Sequence, residues 1–233
     1  MSSIRAVLLD WRGTLVFTPP ESVWVQRSLR RAGLDCSTPE VRRIEAALGD
    51  ALRRPEVQRL WDRADQSVAL HRESYRRLFA AAGIPDEIAA ALYAVESDPA
   101  ENPFAPDVPA TLAALAGAGI RIAVISDIHF DLRPVFAAAG LDRHVDRYVL
   151  SFERGVQKPD RAIFRIALAE LGVEPAEALM VGDRSGHDGG AVEAGIPTLL
   201  LPPLTDPGQE RLHLVLATCG IAARPVQLPG ALR

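Results

Sequence analysis

An unbroken apolar run, Val7-Leu8-Leu9, ends on Asp10, and the same pattern returns twice further on. Ile122 to Ile125 leads into Ser126-Asp127, and Ala178 to Val181 leads into Gly182-Asp183. Short continuous apolar runs bounded by polar turns suit strands buried on both faces of a parallel sheet. The pattern predicts strands over Ile4–Asp10, Arg121–Ile125, Arg147–Leu150, Ala178–Val181 and Thr198–Leu201. From residue 108 onward these alternate with helical spacing, over Val108–Ala116, Leu132–Ala139, Pro159–Leu171, Asp188–Ala194 and Asp206–Thr218. Glycines close most of these helices, as the left-handed turn after a helix favours. Alternating strands and helices predict an α/β fold, a Rossmann-like core with a parallel five-stranded sheet.

Between the first strand and residue 97 the period changes from strand to helix. Ser22–Ala32, Thr38–Leu52, Glu56–Ala82 and Asp86–Glu96 carry apolar residues at helical spacing, without a strand among them. Thr38 and Pro39 mark a helix start. Trp24, Trp61, Tyr75 and Phe79 fall on the apolar positions and read as the interior of this helical block rather than as a substrate box. Ser97–Pro109, with Pro99, Pro103 and Pro106, reads as the connection back to the sheet. The organisation expected is a core from residues 1–17 and 98–233 with an all-helical insert over 18–97.

Composition narrows the class. Of 233 residues, 48% are hydrophobic and 24% charged, as in ordinary globular proteins, and the net charge of −4 argues against a nucleic-acid partner. No apolar run approaches the ~18 residues that a membrane helix requires, and no secretory leader is legible, so no membrane partner is expected. Cys36 and Cys219 form neither a metal motif nor a disulfide framework, which suits a reduced, cytoplasmic setting. One bias stands out: among 26 basic residues, 25 are arginine and only Lys158 is lysine. A compact ammonium is placed where a planar guanidinium would not fit.

The sheet topology directs Asp10, Ser126-Asp127 and Gly182-Asp183 to one carboxyl edge, where open α/β sheets bind ligands. Lys158 and Asp188 open helices beside that edge. Clustered carboxylates with a lysine suit a hard divalent cation and an anionic substrate.

These residues resemble, in order, the four motifs of the haloacid dehalogenase superfamily of phosphotransferases and hydrolases. Asp10-Trp11-Arg12-Gly13-Thr14 is similar to the first, Ser126 to the second, Lys158-Pro159-Asp160 to the third and Gly182-Asp183 through Asp188 to the fourth. The insert resembles the superfamily's helical cap, which opens to admit substrate and closes to exclude water. The resemblance implies that Asp10 is a nucleophile forming an aspartyl-phosphate, with Ser126 and Lys158 catalytic beside it. Thr14, Ser126, Asp127 and Lys158 are implied to bind substrate. Asp10, the backbone carbonyl of Arg12, Asp183 and Asp188 are implied to hold Mg²⁺. The implied activity is Mg²⁺-dependent hydrolysis of a small phosphorylated metabolite.

Arg12 departs from that pattern. Phosphatases of the superfamily carry a second aspartate two residues after the nucleophile to protonate the leaving group and activate water. A guanidinium stays protonated and serves poorly as an acid or base. Losing a proton-transfer group costs on the order of 10²–10⁴ in rate. Four readings follow. A phosphohydrolase in which Arg12 binds phosphate or keeps Asp10 ionised would favour acyl or aryl phosphates, whose leaving groups need little protonation, unless His129 or His187 supplies the proton. The bland reading makes each of these histidines a solvated loop residue. A 2-haloacid dehalogenase also lacks the second acid, but typically has tyrosine at the position of Arg12 and lacks the Gly182-Asp183 pattern. A Schiff-base phosphonatase needs a lysine in the insert, which has none. A non-catalytic relative that binds a phosphorylated ligand accommodates Arg12 but leaves Asp10, Lys158 and Asp183 without a role. The insert's arginines read as a solvated face, with one or two free to face the cleft. Glu21, just past the crossing into the insert, is not counted as a pocket residue, and Asp160 reads as a loop brace.

Overall fold

The computed structural model describes residues 3–222; Met1, Ser2 and the end of the expected core from 223 to 233 lie outside them. Five strands, β1 (Ala6–Leu9), β2 (Arg121–Ser126), β3 (Arg147–Leu150), β4 (Ala178–Gly182) and β5 (Thr198–Leu200), form one sheet in the order β3-β2-β1-β4-β5. Every strand pair is parallel, so the α/β architecture legible in the sequence is the one the chain adopts.

Helices α1 (Glu21–Arg31), α2 (Thr38–Leu52), α3 (Pro55–Trp61), α4 (Val68–Ala81) and α5 (Asp86–Glu96) follow β1. They bury an apolar cluster of their own around Val25, Leu29, Ile44, Leu48, Leu78 and Leu92. Tyr75 and Phe79 belong to it, with Trp24 and Trp61 packed against its margin. The sheet is flanked by α6 (Val108–Gly117), α7 (Arg133–Ala138), the short α8 (Ser151–Arg154), α9 (Arg161–Leu171) and α10 (His213–Thr218). Successive strand residues point to opposite faces. Val7, Leu9, Ile122, Val124, Leu179 and Val181 therefore pack with Leu112, Leu115, Phe136 and Val215 on one side. Ala6, Leu8, Ala123, Ile125 and Met180 pack with Ile163, Phe164 and Ala167 on the other. Each fully buried Val, Leu or Ile contributes roughly 1.5–3 kcal/mol, so a two-faced sheet is the main stabilising layer.

Three expected elements differ. The stretch Glu56–Ala82 is not one helix: α3 stops at Trp61, a single 3₁₀ turn occupies Ala64–Gln66, and Ser67 caps α4 by accepting the Leu70 amide at 3.1 Å. The serine ahead of a new apolar repeat was the signal for that break. Asp188–Ala194 is 3₁₀ rather than α, with Gly190 seated so close to Pro159 that a Cβ would overlap it. The helix expected from Asp206 starts only at His213, because the Asp206 carboxylate accepts the Gly208 amide at 2.7 Å and turns the chain.

The two passages between the sheet and the helical segment run side by side. The Phe17 amide donates to Pro103 O and the Ala105 amide to Leu15 O, both at 2.9 Å, and Asn102 Nδ2 donates to Phe17 O at 3.1 Å. The proline-rich connection is thus an ordered pair of strands-like segments rather than a loose tether. Among the described residues, no helix is long and apolar enough to cross a membrane.

Candidate active site

Register brings the polar strand ends together. Leu9 lies opposite Val124 on one side and Val181 on the other. Asp10, Ser126 and Asp183 therefore leave the sheet within two positions of the same height. The Asp10 amide still bonds to Val181 O at 2.9 Å, which fixes where the carboxylate emerges. Gly13 then turns the chain at φ +76°, and a Cβ there would overlap the Asp183 carboxylate.

Lys158 sits at the centre of this edge with no exposed surface. Its Nζ donates to Asp10 Oδ1 at 2.5 Å and to Asp188 Oδ1 at 2.6 Å, with Ile125 O at 3.5 Å. Burial pushes the ammonium down, but the carboxylates of Asp10, Asp127 and Asp188 outweigh it and hold the group above the usual lysine range. Burial raises the Asp10 carboxyl, Lys158 opposes that, and Asp188 adds to it. Asp188 is itself buried and accepts the amides of Asp183 (3.1 Å) and Arg184 (2.9 Å) through Oδ2. Carboxylate oxygens of Asp10, Asp183 and Asp188 lie within 4.8 Å of one another. Asp183 Oδ1 is buried and receives no hydrogen bond. Burial and the neighbouring Asp188 raise its carboxyl as well.

A cavity of about 620 Å³ opens over this edge, with Asp10, Ser126, Asp127, Lys158, Asp183 and Arg184 in its floor. Thr14 is buried beside the floor, its hydroxyl donating to Asp10 Oδ2 at 3.3 Å. Asp127, expected to face substrate, has both oxygens engaged: Oδ1 accepts the Lys158 amide at 2.8 Å and Oδ2 lies 3.0 Å from His187 Nδ1. The amide and imidazole bonds, with Lys158 nearby, hold its carboxyl low against the effect of burial. It acts here as a brace between the loops after β2 and β4. Asp160 caps α9, accepting the Ala162 amide at 2.9 Å.

Arg12 turns away from Asp10 toward the helical segment. Nη1 pairs with the Glu96 carboxylate and Nη2 donates to Glu96 O at 2.8 Å, at the last residue of α5. Burial works against its charge, and Glu96 more than compensates. The guanidinium carbon lies 5.7 Å from the Trp11 ring centre and 6.0 Å from that of Phe130, over two apolar faces. The residue in the place of the second acid is thus committed to a tie between the first loop and the end of the insert.

Neither histidine meets the sequence expectation in full. His129 is buried, not a solvated loop residue, and does not line the cavity. It stacks on His71 with ring centres 3.4 Å apart and bonds Ser97 Oγ through Nε2 at 2.9 Å. Burial and Arg12 push it down to about 3, so it carries no proton to give near neutrality. His187 does line the cavity, paired with Asp127.

The cavity roof comes from the insert: Trp61, Asp62, Ala64, Asp65, His71 and Tyr75. Beyond Arg12 and Glu96 a second chamber of about 250 Å³ continues between Glu21, Trp24, Trp61 and Tyr75. These aromatic residues therefore pack the insert and wall the cleft at once, which corrects the purely interior role, and Glu21 does look into the pocket.

Sequence reasoning missed three contributors. Arg211, almost fully buried, donates to Gly13 O at 3.1 Å and Thr14 O at 2.8 Å and bonds Pro202 O, locking the loop after Asp10. Ser151 donates to Asp65 O at 2.6 Å and accepts the Ile128 amide at 2.9 Å. Gln157 accepts the Asp65 amide at 3.1 Å. One arginine among 25, and an isolated Ser or Gln, carry no spacing that marks them.

A family model described as haloacid dehalogenase-like hydrolase matches residues 4–195. The phosphoserine phosphatase of Thermus thermophilus is 30% identical over 215 residues, covering 83% of this chain and 86% of that protein. The glyceraldehyde 3-phosphate phosphatase of Methanopyrus kandleri is 30% identical over 203 residues, covering 84% and 83%. Among solved structures, a dehalogenase superposes with a TM-score of 0.65 at 23% identity, covering 94% of this chain and 98% of its own.

Proposed function

Because the chain belongs to the haloacid dehalogenase-like hydrolases, we propose that it is a divalent-metal-dependent phosphatase acting on a small phosphomonoester through Asp10. One observation carries this reading: Asp10, the buried Lys158 and Asp183 meet on one cavity floor, with Asp188 buried directly beside them. Phosphoryl transfer is chiefly a matter of positioning and charge neutralisation, which such a floor supplies.

The three carboxylates fit a hard cation. Asp183 Oδ1 is buried and has no donor, and the missing Cβ of Gly13 leaves room beside it. Oxygen-only ligands select Mg²⁺ over softer ions. Asp10 and Asp183, with the Arg12 carbonyl, would hold the ion, and Asp188 would orient Asp183 and Lys158. When bound, Mg²⁺ supplies positive charge to the phosphoryl oxygens. Lys158 neutralises Asp10 and the incoming phosphate. Ser126 lies in the floor where it can donate to a phosphoryl oxygen. Thr14 and Arg211 hold the loop that aims Asp10. Residues 18–97 act as a cap over this floor, and closure excludes water from the phosphoryl group.

The dehalogenase alternative is weakened by the same acids. Asp183, a candidate metal ligand, has no task in a metal-free attack on carbon, and Arg12 is engaged by Glu96 rather than free for a halide. The test is phosphate release from a panel of phosphomonoesters with Mg²⁺ or with chelator. Metal-dependent release supports the reading. Chloride release from a 2-haloacid in chelator, with no phosphate release, overturns it.

Gly13→Ala probes the cation side, together with the loop that carries Asp10. The added methyl meets Asp183, and φ +76° disfavours any Cβ, at about 1–2 kcal/mol for the backbone strain. A displaced ligand carboxylate weakens metal binding by roughly 10–100-fold. The Mg²⁺ concentration for half-maximal activity is expected to rise by that factor in a titration, with the melting temperature falling by a few degrees.

A further inference from the structure

The proposed phosphatase needs a proton for its leaving group, and Arg12 cannot give one. The geometry points to Asp65 as the catalytic acid and base of this site, supplied by the helical insert instead of the loop after β1. This inference rests on the phosphatase reading above.

Asp65 lies in the 3₁₀ turn that interrupts the expected long helix, and that turn is pinned to the floor. Its amide donates to Gln157, the neighbour of Lys158, and its carbonyl accepts from Ser151. Asp65 lines the same cavity as Asp10, Ser126 and Lys158, and its side chain is 28% exposed. No hydrogen bond within the described residues engages that carboxylate; His71 Nε2 stands 3.9 Å away. A carboxyl facing the cavity with its backbone fixed and its oxygens uncommitted is what a leaving-group oxygen requires.

Its surroundings keep a proton within reach. Burial raises the Asp65 carboxyl to about 6, and Asp127 and Glu96 add to that, while Arg12 and Arg184 oppose it. His71, pushed down to about 2 by burial, His129 and Arg12, stays neutral and offers no competing charge. Tyr93 OH holds His71 Nδ1 at 3.1 Å, which leaves Nε2 facing Asp65. A carboxylic acid held near neutrality by an enclosed site serves general acid–base chemistry.

The steps balance. Asp10 Oδ attacks phosphorus, the bond from phosphorus to the ester oxygen breaks, and its electron pair stays on that oxygen. The oxygen takes the Asp65 proton and departs as the alcohol, leaving Asp65 ionised. Water then attacks phosphorus and gives a proton to Asp65. The bond from phosphorus to Asp10 breaks with its pair returning to the carboxylate, and phosphate leaves.

The experiment compares wild type with Asp65→Asn on an alkyl phosphate and on 4-nitrophenyl phosphate, whose leaving group needs no proton. In kcat/KM, which covers only the steps up to the aspartyl-phosphate, the alkyl ester is expected to fall by roughly 100-fold and 4-nitrophenyl phosphate to stay within about threefold of wild type, while kcat falls on both esters wherever hydrolysis of the aspartyl-phosphate limits turnover. For the alkyl ester, kcat/KM of wild type should decline as pH rises through about 6, where Asp65 loses its proton, and that limb should vanish in Asp65→Asn. Asp65→Glu should restore part of the rate and the limb. Equal loss of kcat/KM on both esters, or an unchanged pH profile, overturns the assignment while leaving the phosphatase reading intact. A wild type that releases phosphate from no ester overturns the reading, and the assignment with it.

Discussion

Asp10→Asn is expected to eliminate phosphate release without loosening the fold. An amide cannot attack phosphorus, and removal of a covalent nucleophile lowers turnover by at least ~10³-fold. Stability should move the other way. The wild-type floor encloses Asp10 and Asp188 around a single ammonium, an excess of buried negative charge. Because burial raises the Asp10 carboxyl, the native state favours its protonated form more than the unfolded chain does. Stability is therefore lost as pH rises from the ordinary carboxyl range through the native value. Asparagine removes that burden, keeps an oxygen for Lys158 Nζ, and leaves Asp188 as the counter-charge. Without Mg²⁺ at pH 8, the variant should melt at or above the wild-type temperature while showing no turnover. An active Asp10→Asn protein would place the nucleophile elsewhere. A marked loss of stability would make Asp10 a structural anchor rather than a strained functional group.

The layered fold was legible because its signal is strong and local. Ile122–Ile125 and Leu179–Met180-Val181 are apolar on both strand faces, and only a sheet covered on both sides accommodates that. Asp10, Lys158, Asp183 and Asp188 were legible because strand ends converge by topology, not by side-chain choice. The failures lie where tertiary contacts override local pattern. In Glu56–Ala82 only Ser67 hinted at a break, and the turn at Asp65 is held by Ser151 and Gln157, more than eighty residues away. His129 looked like a loop residue because its partners, His71 and Ser97, come from the insert. Arg12 was legible as an anomaly but not as a tie, since Glu96 reaches it only once α5 has packed. The cleft walls share this character. Trp24, Trp61 and Tyr75 sit at helical spacing because they pack in or against the insert's core, and the same side chains line the chamber.

Lys158 explains the chain's basic composition by exception, and its replacement should be the most damaging to structure. On the surface, arginine forks meet carboxylates two nitrogens at a time, as in Arg43 on Glu40 and Arg133 on Glu153. A planar fork suits such bidentate pairs. Lys158 instead sends one nitrogen between Asp10 and Asp188 with no exposed surface. Lys158→Ala leaves these carboxylates buried and uncompensated, a situation that costs about 3–5 kcal/mol. Lys158→Arg keeps the charge but places a larger, flat group in a filled site, at about 1–3 kcal/mol. Urea denaturation should rank wild type above Lys158→Arg and Lys158→Ala lowest, with both variants losing at least ~100-fold in turnover because neither neutralises Asp10 at the right point. The deficit of Lys158→Ala should also depend on pH. Without the ammonium, burial and the neighbouring Asp188 raise the Asp10 carboxyl further, so the native state gains on the unfolded chain as Asp10 protonates. The gap to wild type should be widest near pH 8 and narrow toward pH 5. A Lys158→Ala protein equal to wild type in urea at pH 8 would mean that the buried charges are compensated by something other than this lysine.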